Sequence, residues 1–359
     1  MTTVRVRLKN AHYDILIGPG LLAGIGDRLK ELGFSGRLVL VADSTVKQLY
    51  GEKLVQCLSA AGFTVTMLAG PQSEEEKTLE TAARLYRELT DSFVERTTPI
   101  LAMGGGVTGD VAGFVAATYL RGIPLVHIPT TLLAQADSSL GGKTGVDHGH
   151  LKNKIGAFYQ PRLTVSDTST LKSLPPKMFS EGLAEVIKHA AIRDEEFFVY
   201  LENNLDRILT LDDDTLETMV TRSTEIKADV VAEDERDLGL RNILNYGHTT
   251  GHAIESVSNF GIGHGQAVAF GMLAAAGISH RMGYLDSAAI ARLRRLLERA
   301  GLMTDMPKLD PDLVIQAMQH DKKIVDGKVR FVLLHDIGDV FVTNTVSPSL
   351  VKEVLVNGL

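Results

Sequence analysis

Four histidines and one glutamate have spacings typical of a metal site. His248 and His252 are four residues apart, one turn of a predicted helix, and His264 follows within a Gly-His-Gly sequence. Glu185 and His189 share one face of another predicted helix, where a surface ion-pair pattern with Lys188 is the alternative. Clusters of glutamate and histidine suit a catalytic Zn²⁺, which has three protein ligands and keeps an open position for substrate. Spacing alone leaves open which three side chains bind, although His248 with His252 is the simplest pair.

A glycine-rich segment at residues 103–110 follows a predicted strand and begins a predicted helix. Glycine lets the backbone approach a phosphate closely, and a helix N-terminus offers N–H groups to an anion. A tight strand-to-helix turn is the alternative, but three consecutive glycines, Gly104 to Gly106, exceed what a turn requires. Asp43 follows an earlier predicted strand and could accept a hydrogen bond from a ribose hydroxyl, or simply cap a helix. The segment therefore predicts a phosphate or dinucleotide site.

A polar segment at residues 129–145 and a set of basic residues extend this prediction. The segment combines hydroxyls, glycines and one lysine after a strand, which suits a polar cofactor at the carboxyl end of a sheet; a long polar loop is the alternative. The basic residues beside the motifs are Arg121, Lys143, Lys152, Lys188, Lys227 and Arg241. Each alone is typical of solvated surface, but together they favour a pocket for a phosphate and a carboxylate.

The elements that position these residues change in character along the chain. Short apolar runs alternate with helical patterns in the first half, and predict βαβ units with a parallel sheet. The predicted strands are 4–8, 13–17, 38–42, 64–68, 100–103 and 125–128. Helical periodicity dominates later, with a strand pair at 328–334 and 340–342. We therefore predict a Rossmann-like α/β domain over residues 1–166, a mostly α-helical domain over 167–359, and an active site in the cleft between them.

Composition excludes several classes of function. The chain has 359 residues, with 44 acidic against 37 basic side chains and a formal net charge of −7, which argues against general nucleic-acid binding. Its single cysteine, Cys57, excludes internal disulfides and indicates a reducing compartment. No apolar run reaches the ~18 residues expected of a membrane helix. We expect a soluble cytoplasmic protein that binds neither nucleic acid nor membrane.

Five segments, read together, resemble the 3-dehydroquinate synthase family of sugar phosphate cyclases. They are residues 104–118, 128–145, 152–161, 181–189 and 245–255 with His264, and the likeness runs in consistent order over most of the chain. The loop 147–151 departs from the family's usual sequence. The resemblance implies conversion of 3-deoxy-D-arabino-heptulosonate 7-phosphate into 3-dehydroquinate and phosphate, through transient oxidation by NAD, phosphate elimination, re-reduction, ring opening and aldol closure. It also implies one Zn²⁺ or Co²⁺ ion and a homodimer.

Carried over position by position, the family's functional residues fall on specific side chains of this sequence. The implied metal ligands are Glu185, His248 and His264, which leaves His252 as a neighbour that assists proton transfer. The implied catalytic residues are Lys143, Lys188, Lys227, Arg241, Asn245 and His252. The implied substrate contacts are Arg121, Lys152, Asn153 and Lys322. The implied NAD contacts are Asp43, Glu74, Lys77, Gly105, Gly106, Asp110, Thr130, Thr131, Asp137, Lys143, Lys152 and Thr168.

Three other functions compete with this interpretation. A cyclase of the 2-deoxy-scyllo-inosose or valiolone type would act on a neutral sugar phosphate, whereas Arg241 and Asn245 favour a substrate that carries a carboxylate. A metal-dependent polyol dehydrogenase would release NADH and would not need the basic cluster. A non-catalytic scaffold would have no need of a complete ligand set.

Overall fold

The structure is a computed structural model that describes residues 1–9, 11–149, 151–258, 261–303, 309–319, 324–325 and 328–356. Two compact units emerge from its internal contacts. Unit 1 comprises Met1–Leu174 and Leu216–Ala232, and unit 2 comprises Pro175–Thr215 and Glu233–Leu359. Unit 1 extends to Leu174 and also includes the chain between 216 and 232, and the domain division at residue 166 stays a prediction.

Unit 1 is built on a seven-stranded mixed sheet with the order β1-β2-β9-β6-β5-β3-β4. Only β1 and β2 are antiparallel within it, and each of the other neighbouring pairs is parallel. The strands are β1 Thr2–Arg7, β2 His12–Gly18, β3 Arg37–Ala42, β4 Thr64–Ala69, β5 Ile100–Gly104, β6 Leu125–Pro129 and β9 Leu163–Asp167. A separate antiparallel hairpin pairs β7, Lys143–His148, with β8, Leu151–Phe158.

The central strands are apolar because helices cover both faces of the sheet. Every residue of β5, β6 and β9 is buried, as expected for a parallel sheet between two helical layers. The helices of unit 1 are α1 Ile25–Glu31, α2 Ser44–Val46, α3 Glu52–Ala60, α4 Leu79–Asp91 and α5 Gly106–Thr118. Side chains alternate across β3, so Val39 and Val41 pack with α4 and α5 whereas Leu38 and Leu40 pack with α1 and α3.

Parallel strands place their carboxyl ends at one edge of the sheet, and this edge organises unit 1. Strands β3, β5, β6 and β9 end at Ala42, Gly104, Pro129 and Asp167. The residues that immediately follow these four strands therefore lie along a common edge, which is where parallel α/β sheets bind ligands. The register confirms the alignment at its centre, where Gly104 pairs with Pro129.

Unit 2 is mainly helical, as the sequence predicts. Its helices are α6 Pro176–Arg193, α7 Glu195–Leu209, α9 His248–Val257, α10 His264–Arg281, α11 Ser287–Arg299, α12 Pro311–Gln319 and α13 Pro348–Val356, and α8, Asp213–Glu233, lies mostly in unit 1. Its strands are β10 Ile324–Val325, β11 Lys328–Val329, β12 Phe331–Asp336 and β13 Asp339–Thr343. Helix α10 is the centre of this unit, because it lies against α6, α9 and β12.

The predicted fold class, an α/β first part followed by a helical second part, is confirmed. The alternative of a long polar loop over residues 129–145 does not hold at its end, since Lys143 begins the strand β7. Strand β8 contains the consecutive polar residues Lys152, Asn153 and Lys154, so its first half lacks the apolar alternation by which a strand is recognised. The predicted late strand pair exists as β12 and β13. Of the helices in the described ranges, none is both long enough and apolar enough to cross a membrane.

Candidate active site

The glycine-rich turn between β5 and α5 forms a cradle for an anion. A Cβ atom built on Gly104 would lie 2.6 Å from Thr108 Oγ1, and one on Gly106 would lie 3.0 Å from Ser138 Oγ. Gly105 is the N-cap of α5 and contributes no side chain to the cap. Ser138 Oγ is buried and has no hydrogen-bond partner among the residues that the structure describes. The exposed backbone amides and the unused hydroxyl fit the phosphates of a dinucleotide.

Several predicted cofactor residues lie along the same carboxyl edge of the sheet. Asp43 follows β3, and its Oδ1 accepts a hydrogen bond from Val46 N at 2.9 Å, so this side chain also caps α2. Thr130 follows β6 and its backbone N–H donates to the Gly104 carbonyl over 3.0 Å, which joins two strand ends. Thr168 follows β9 and is fully buried. The topology therefore brings together residues that are far apart in sequence.

Two buried lysines of unit 1 are fixed by aspartates. Lys77 Nζ lies 2.6 Å from Asp110 Oδ2, and Lys227 Nζ lies 2.7 Å from Asp137 Oδ1. Burial acts to lower the pKa of Lys77, but the Asp110 carboxylate outweighs it, so the net pKa is raised and the ammonium stays charged at neutral pH. These ion pairs hold four of the predicted cofactor or catalytic residues in place.

The β7–β8 hairpin carries three predicted contact residues. Lys143 begins β7 with an exposed side chain. Lys152 Nζ lies 3.8 Å from Glu74 Oε1. The backbone N–H of Asn153 donates to Asp147 Oδ1 over 2.7 Å. Because the Asp147 amide donates to the carbonyl of Lys77 over 2.7 Å, the hairpin is tied directly to the Lys77–Asp110 pair.

Arg121 lies at the end of α5 that is remote from the carboxyl edge of the sheet. It follows the C-terminus of α5 in a left-handed conformation with φ of 65°. Helix α5 begins at the glycine-rich turn and has 13 residues, which corresponds to a length of about 20 Å. The predicted contact of Arg121 with the phosphate stays a prediction.

Glu185, His248 and His264 converge on one point in unit 2. Glu185 Oε1 lies 3.3 Å from His248 Nε2 and 3.4 Å from His264 Nε2, and the three potential ligand atoms lie within 4.8 Å of one another. Glu185 is 1% exposed, and its Oε1 accepts no hydrogen bond from the described part of the chain. A buried carboxylate oxygen that faces two imidazole nitrogens fits a divalent cation.

The backbone before His248 sets which nitrogen faces this point. His248 Nδ1 donates to the Tyr246 carbonyl at 3.1 Å, which leaves Nε2 as the lone-pair nitrogen. Gly247 has φ of 79°, where glycine is favoured, and a Cβ there would lie 2.8 Å from the Val268 carbonyl oxygen. The Tyr246 hydroxyl donates to the Met272 carbonyl at 3.0 Å. The Asn-Tyr-Gly-His sequence therefore fixes the first imidazole through its backbone.

The structure distinguishes His264 from His252 among the candidate ligands that spacing leaves open. The His252 ring lies 5.2 Å from the His248 ring, centroid to centroid, as an adjacent group. His189 is fully buried on α6. The simplest pair from spacing, His248 with His252, is not the pair whose nitrogens converge with Glu185, because His264 enters at the start of a different helix.

Charges around the cluster favour a cation. Burial acts to raise the pKa of Glu185, but Lys188 and His248 lower it more, and the carboxylate stays ionised. Burial lowers the pKa of His248 to about 3, so this imidazole is neutral at pH 7, as a metal ligand must be. Burial acts to lower the pKa of His264, but Glu185 and Glu255 raise it to about 10. The site therefore attracts positive charge, and a divalent ion satisfies that preference.

The remaining predicted residues of unit 2 lie near the start of α9. Arg241 is buried, and its Nη1 donates to the Glu235 carbonyl at 2.7 Å. The Asp234 carboxylate accepts from the Arg241 and Gly239 amides at 3.0 and 2.7 Å, which fixes the loop that carries this guanidinium. Asn245 ends the 3₁₀ turn Leu240–Asn245. Lys322 lies outside the described residues.

Sequence reasoning missed three residues that orient these groups. Asp234 orders the Arg241 loop, the Tyr246 carbonyl orients His248, and Glu255 Oε2 lies 3.6 Å from His264 Nδ1. Of the three, only Glu255 has a residue type that suggests its role, because a metal-bound imidazole often donates its second N–H to a carboxylate. The Asp234 carboxylate accepts from backbone amides and Tyr246 acts through its own carbonyl, and neither contact can be predicted from residue type.

Family models and a sequence relative match this chain and indicate the same family. The model of the 3-dehydroquinate synthase N-terminal domain matches residues 67–181, and that of the C-terminal domain matches residues 182–324. A 3-dehydroquinate synthase of Dehalococcoides mccartyi is 46% identical over 355 residues, or 99% of each chain. These matches confirm the predicted resemblance.

Two solved structures are similar over nearly the whole chain. A 2-deoxy-scyllo-inosose synthase complexed with carbaglucose-6-phosphate, NAD⁺ and Co²⁺ has a TM-score of 0.91 and 31% identity, with 100% of each chain covered. A 2-epi-5-epi-valiolone synthase from Streptomyces hygroscopicus with NAD⁺ and Zn²⁺ bound has a TM-score of 0.89 and 29% identity, with 98% of each chain covered. Both are less similar to this chain in sequence than the 3-dehydroquinate synthase of Dehalococcoides mccartyi.

Proposed function

The chain belongs to the 3-dehydroquinate synthase family, and we propose that it converts 3-deoxy-D-arabino-heptulosonate 7-phosphate into 3-dehydroquinate and phosphate. It would thus be a carbon–oxygen lyase of the shikimate pathway. The observation that carries the proposal is the convergence of Glu185, His248 and His264 beside the buried Lys188. A buried ammonium next to a cation site suits a substrate that brings several negative oxygens.

The residues of unit 1 support NAD as the cofactor, and those of unit 2 support one Zn²⁺ or Co²⁺ ion. Gly105 and Gly106 leave room for the phosphates at the start of α5, and Asp43 stands where a ribose would be bound. When bound, NAD⁺ supplies a reversible hydride acceptor and the divalent ion polarises substrate oxygens. The two similar cyclases contain NAD⁺ with Co²⁺ or Zn²⁺, which supports both assignments.

The protein's own side chains would bind and orient the anionic substrate. Lys188 is 2% exposed and forms an ion pair with Glu185, so its ammonium is held in one position. The Lys227 ammonium is fixed in the same way by Asp137. We propose that these lysines, with Lys143, Arg241 and Asn245, bind the phosphate, carboxylate and hydroxyls, and that His252 moves protons. Their contribution to rate would come from positioning and charge stabilisation.

The functional division that we propose assigns NAD binding to residues 1–166 and metal and substrate binding to residues 167–359. The positions of the glycine-rich turn in unit 1 and of the ligand cluster in unit 2 support this division. The expected homodimer and the cytoplasmic location stay predictions.

The comparisons favour this reaction over those of the other cyclases. Identity to the dehydroquinate synthase is 46%, against 31% and 29% to the cyclases that make other products. The Arg241 guanidinium, anchored by the Glu235 carbonyl and the Asp234 loop, supports recognition of a carboxylate. A dehydrogenase would not need the buried ammonium of Lys188.

The test is phosphate release by purified protein supplied with catalytic NAD⁺ and Zn²⁺, while absorbance reports NADH. The heptulosonate phosphate should release phosphate steadily without accumulation of NADH, and glucose 6-phosphate and sedoheptulose 7-phosphate should not. Release from either of those sugars alone would overturn the substrate assignment, and stoichiometric NADH would indicate a dehydrogenase. Lys188→Met should abolish turnover, whereas Lys177→Met, which changes an exposed lysine of the same helix, should retain it.

A further inference from the structure

Helix α6 carries a second carboxylate, Glu181, one turn before the predicted ligand Glu185. Its Oε2 accepts hydrogen bonds from the backbone amides of Gly265 and Gln266, the latter at 3.3 Å. These are the second and third residues of α10, whose first residue is His264. The N-cap of α10 is Gly263, which offers no side chain, so a residue of another helix supplies the cap that this helix lacks.

The two glycines that flank His264 allow this contact. A Cβ built on Gly263 would lie 1.9 Å from Glu181 Oε1, and one built on Gly265 would lie 2.3 Å from the Glu181 carbonyl oxygen. A methyl group on Gly265 would meet backbone and would move the start of α10 away from α6, whereas one on Gly263 would displace the Glu181 carboxylate. The Gly-His-Gly sequence therefore lets α10 begin directly against Glu181.

We propose that Glu181 is a positioning residue for the metal site, which holds His264 in place by capping α10 from α6. This inference depends on the metal ligands of the proposed function. Because Glu181 and Glu185 are one turn apart on the same helix, α6 fixes both the carboxylate ligand and the start of the helix that carries His264. Rotation of the first turn of α10 would move His264 Nε2 away from Glu185 Oε1.

The negative charge of Glu181 should also strengthen metal binding. The N-terminus of a helix carries a partial positive charge, which opposes a cation bound at the first helical residue. The Glu181 carboxylate lies at the same amides and offsets that charge. An uncharged cap would accept the same hydrogen bonds but would not offset the positive charge of the helix terminus. The amide variant Glu181→Gln therefore separates the effect of hydrogen bonding from the effect of charge.

The experiment measures metal affinity of the apoprotein directly, by titration of Zn²⁺ against a chromophoric chelator and by the visible absorption of bound Co²⁺. Glu181→Ala should weaken Zn²⁺ binding by about 10–100-fold, as is usual when a group that orients a ligand is removed. Its Co²⁺ spectrum should change, since the geometry at His264 changes. Glu181→Gln should fall between the wild type and Glu181→Ala.

The control is Asp286→Ala, which removes an ordinary cap in the same unit. Asp286 Oδ1 accepts from the Ala288 amide at 2.9 Å at the start of α11, away from the predicted ligands. It should lower the melting temperature and leave the metal affinity unchanged.

Two results would overturn the role of Glu181. One is wild-type Zn²⁺ affinity in Glu181→Ala, and the other is an equal loss of affinity in Asp286→Ala, which would indicate general destabilisation. Failure of the proposed function would look different. Wild-type protein would then bind no ion that depends on Glu185, and the role of Glu181 would be rejected with the metal site itself.

Discussion

Substitution of Gly271 by alanine tests whether close helix packing holds His248 in place. Gly271 lies in α10 where it crosses the start of α9, and a Cβ there would lie 1.9 Å from the Gly247 carbonyl oxygen and 2.8 Å from Gly251 N. No rotamer change can relieve a contact with backbone atoms. The methyl group would therefore push away the residue that precedes His248, and with it the imidazole.

Substitution of Gly277 in the same helix by alanine is the matched control for the change in the free energy of unfolding. A Cβ there would lie 2.9 Å from Val354 Cγ1, the end of a side chain that can shift. Alanine favours the helix at both positions by about 0.5–1 kcal/mol, so this contribution cancels between the variants. Overpacking against fixed atoms typically costs about 1–3 kcal/mol. Gly271→Ala should thus be about 1–3 kcal/mol less stable than Gly277→Ala.

Urea unfolding in the presence of a chelator measures the two free energies of unfolding without the contribution of bound metal. Zn²⁺ titration of the same proteins should show affinity weakened by about tenfold or more in Gly271→Ala and unchanged in Gly277→Ala. Equal stabilities of the two variants, with the Zn²⁺ affinity of Gly271→Ala at the wild-type value, would show that α10 does not position His248.

Three further predictions concern the other parts of the chain. His127 is buried on β6, and burial lowers its pKa from 6.5 to about 4, so the folded state binds fewer protons than the unfolded state between those values. Stability should therefore fall as the pH drops from 7 to 5, by about 2 kcal/mol more than in His127→Gln; parallel pH profiles in urea unfolding would contradict this. Gly106→Ala should weaken NAD⁺ binding by about tenfold, because its Cβ would fill the cradle 3.0 Å from Ser138 Oγ. Gly109→Ala makes only ordinary contact with His127 at 3.5 Å and should bind NAD⁺ normally; isothermal titration calorimetry measures both affinities. Treatment with a chelator should abolish phosphate release and Zn²⁺ or Co²⁺ should restore it; activity that survives metal removal would argue against a metal-dependent reaction.

Most of the fold could be predicted because its central strands are buried on both faces. Continuous apolar runs such as those of β3 and β5 stand out from the helical patterns between them. The hairpin β7–β8 could not be predicted in the same way, since the first four residues of β8 are exposed and three of them, Lys152, Asn153 and Lys154, are polar or charged. Its strands are stabilised by pairing with each other, and such pairing has no local signature.

The candidate site divides into residues visible in the sequence and residues visible only in the fold. Glycines and hydroxyls after strands indicate a phosphate site because chain direction alone places them at one edge of the sheet. Which histidines bind the metal cannot be predicted in this way. His264 meets Glu185 and His248 because α10 begins against α6, and that tertiary contact does not follow from the spacing of His248 and His252. The family resemblance identified the ligands that spacing left open.

The most direct test of the central claim is a crystal structure of the protein with Co²⁺, with the ion located by its anomalous scattering. We expect one ion per chain, at about 2.0–2.2 Å from a Glu185 oxygen and from Nε2 of both His248 and His264. An ion bound by His252 in place of His264, or no ion at this cluster, would contradict it.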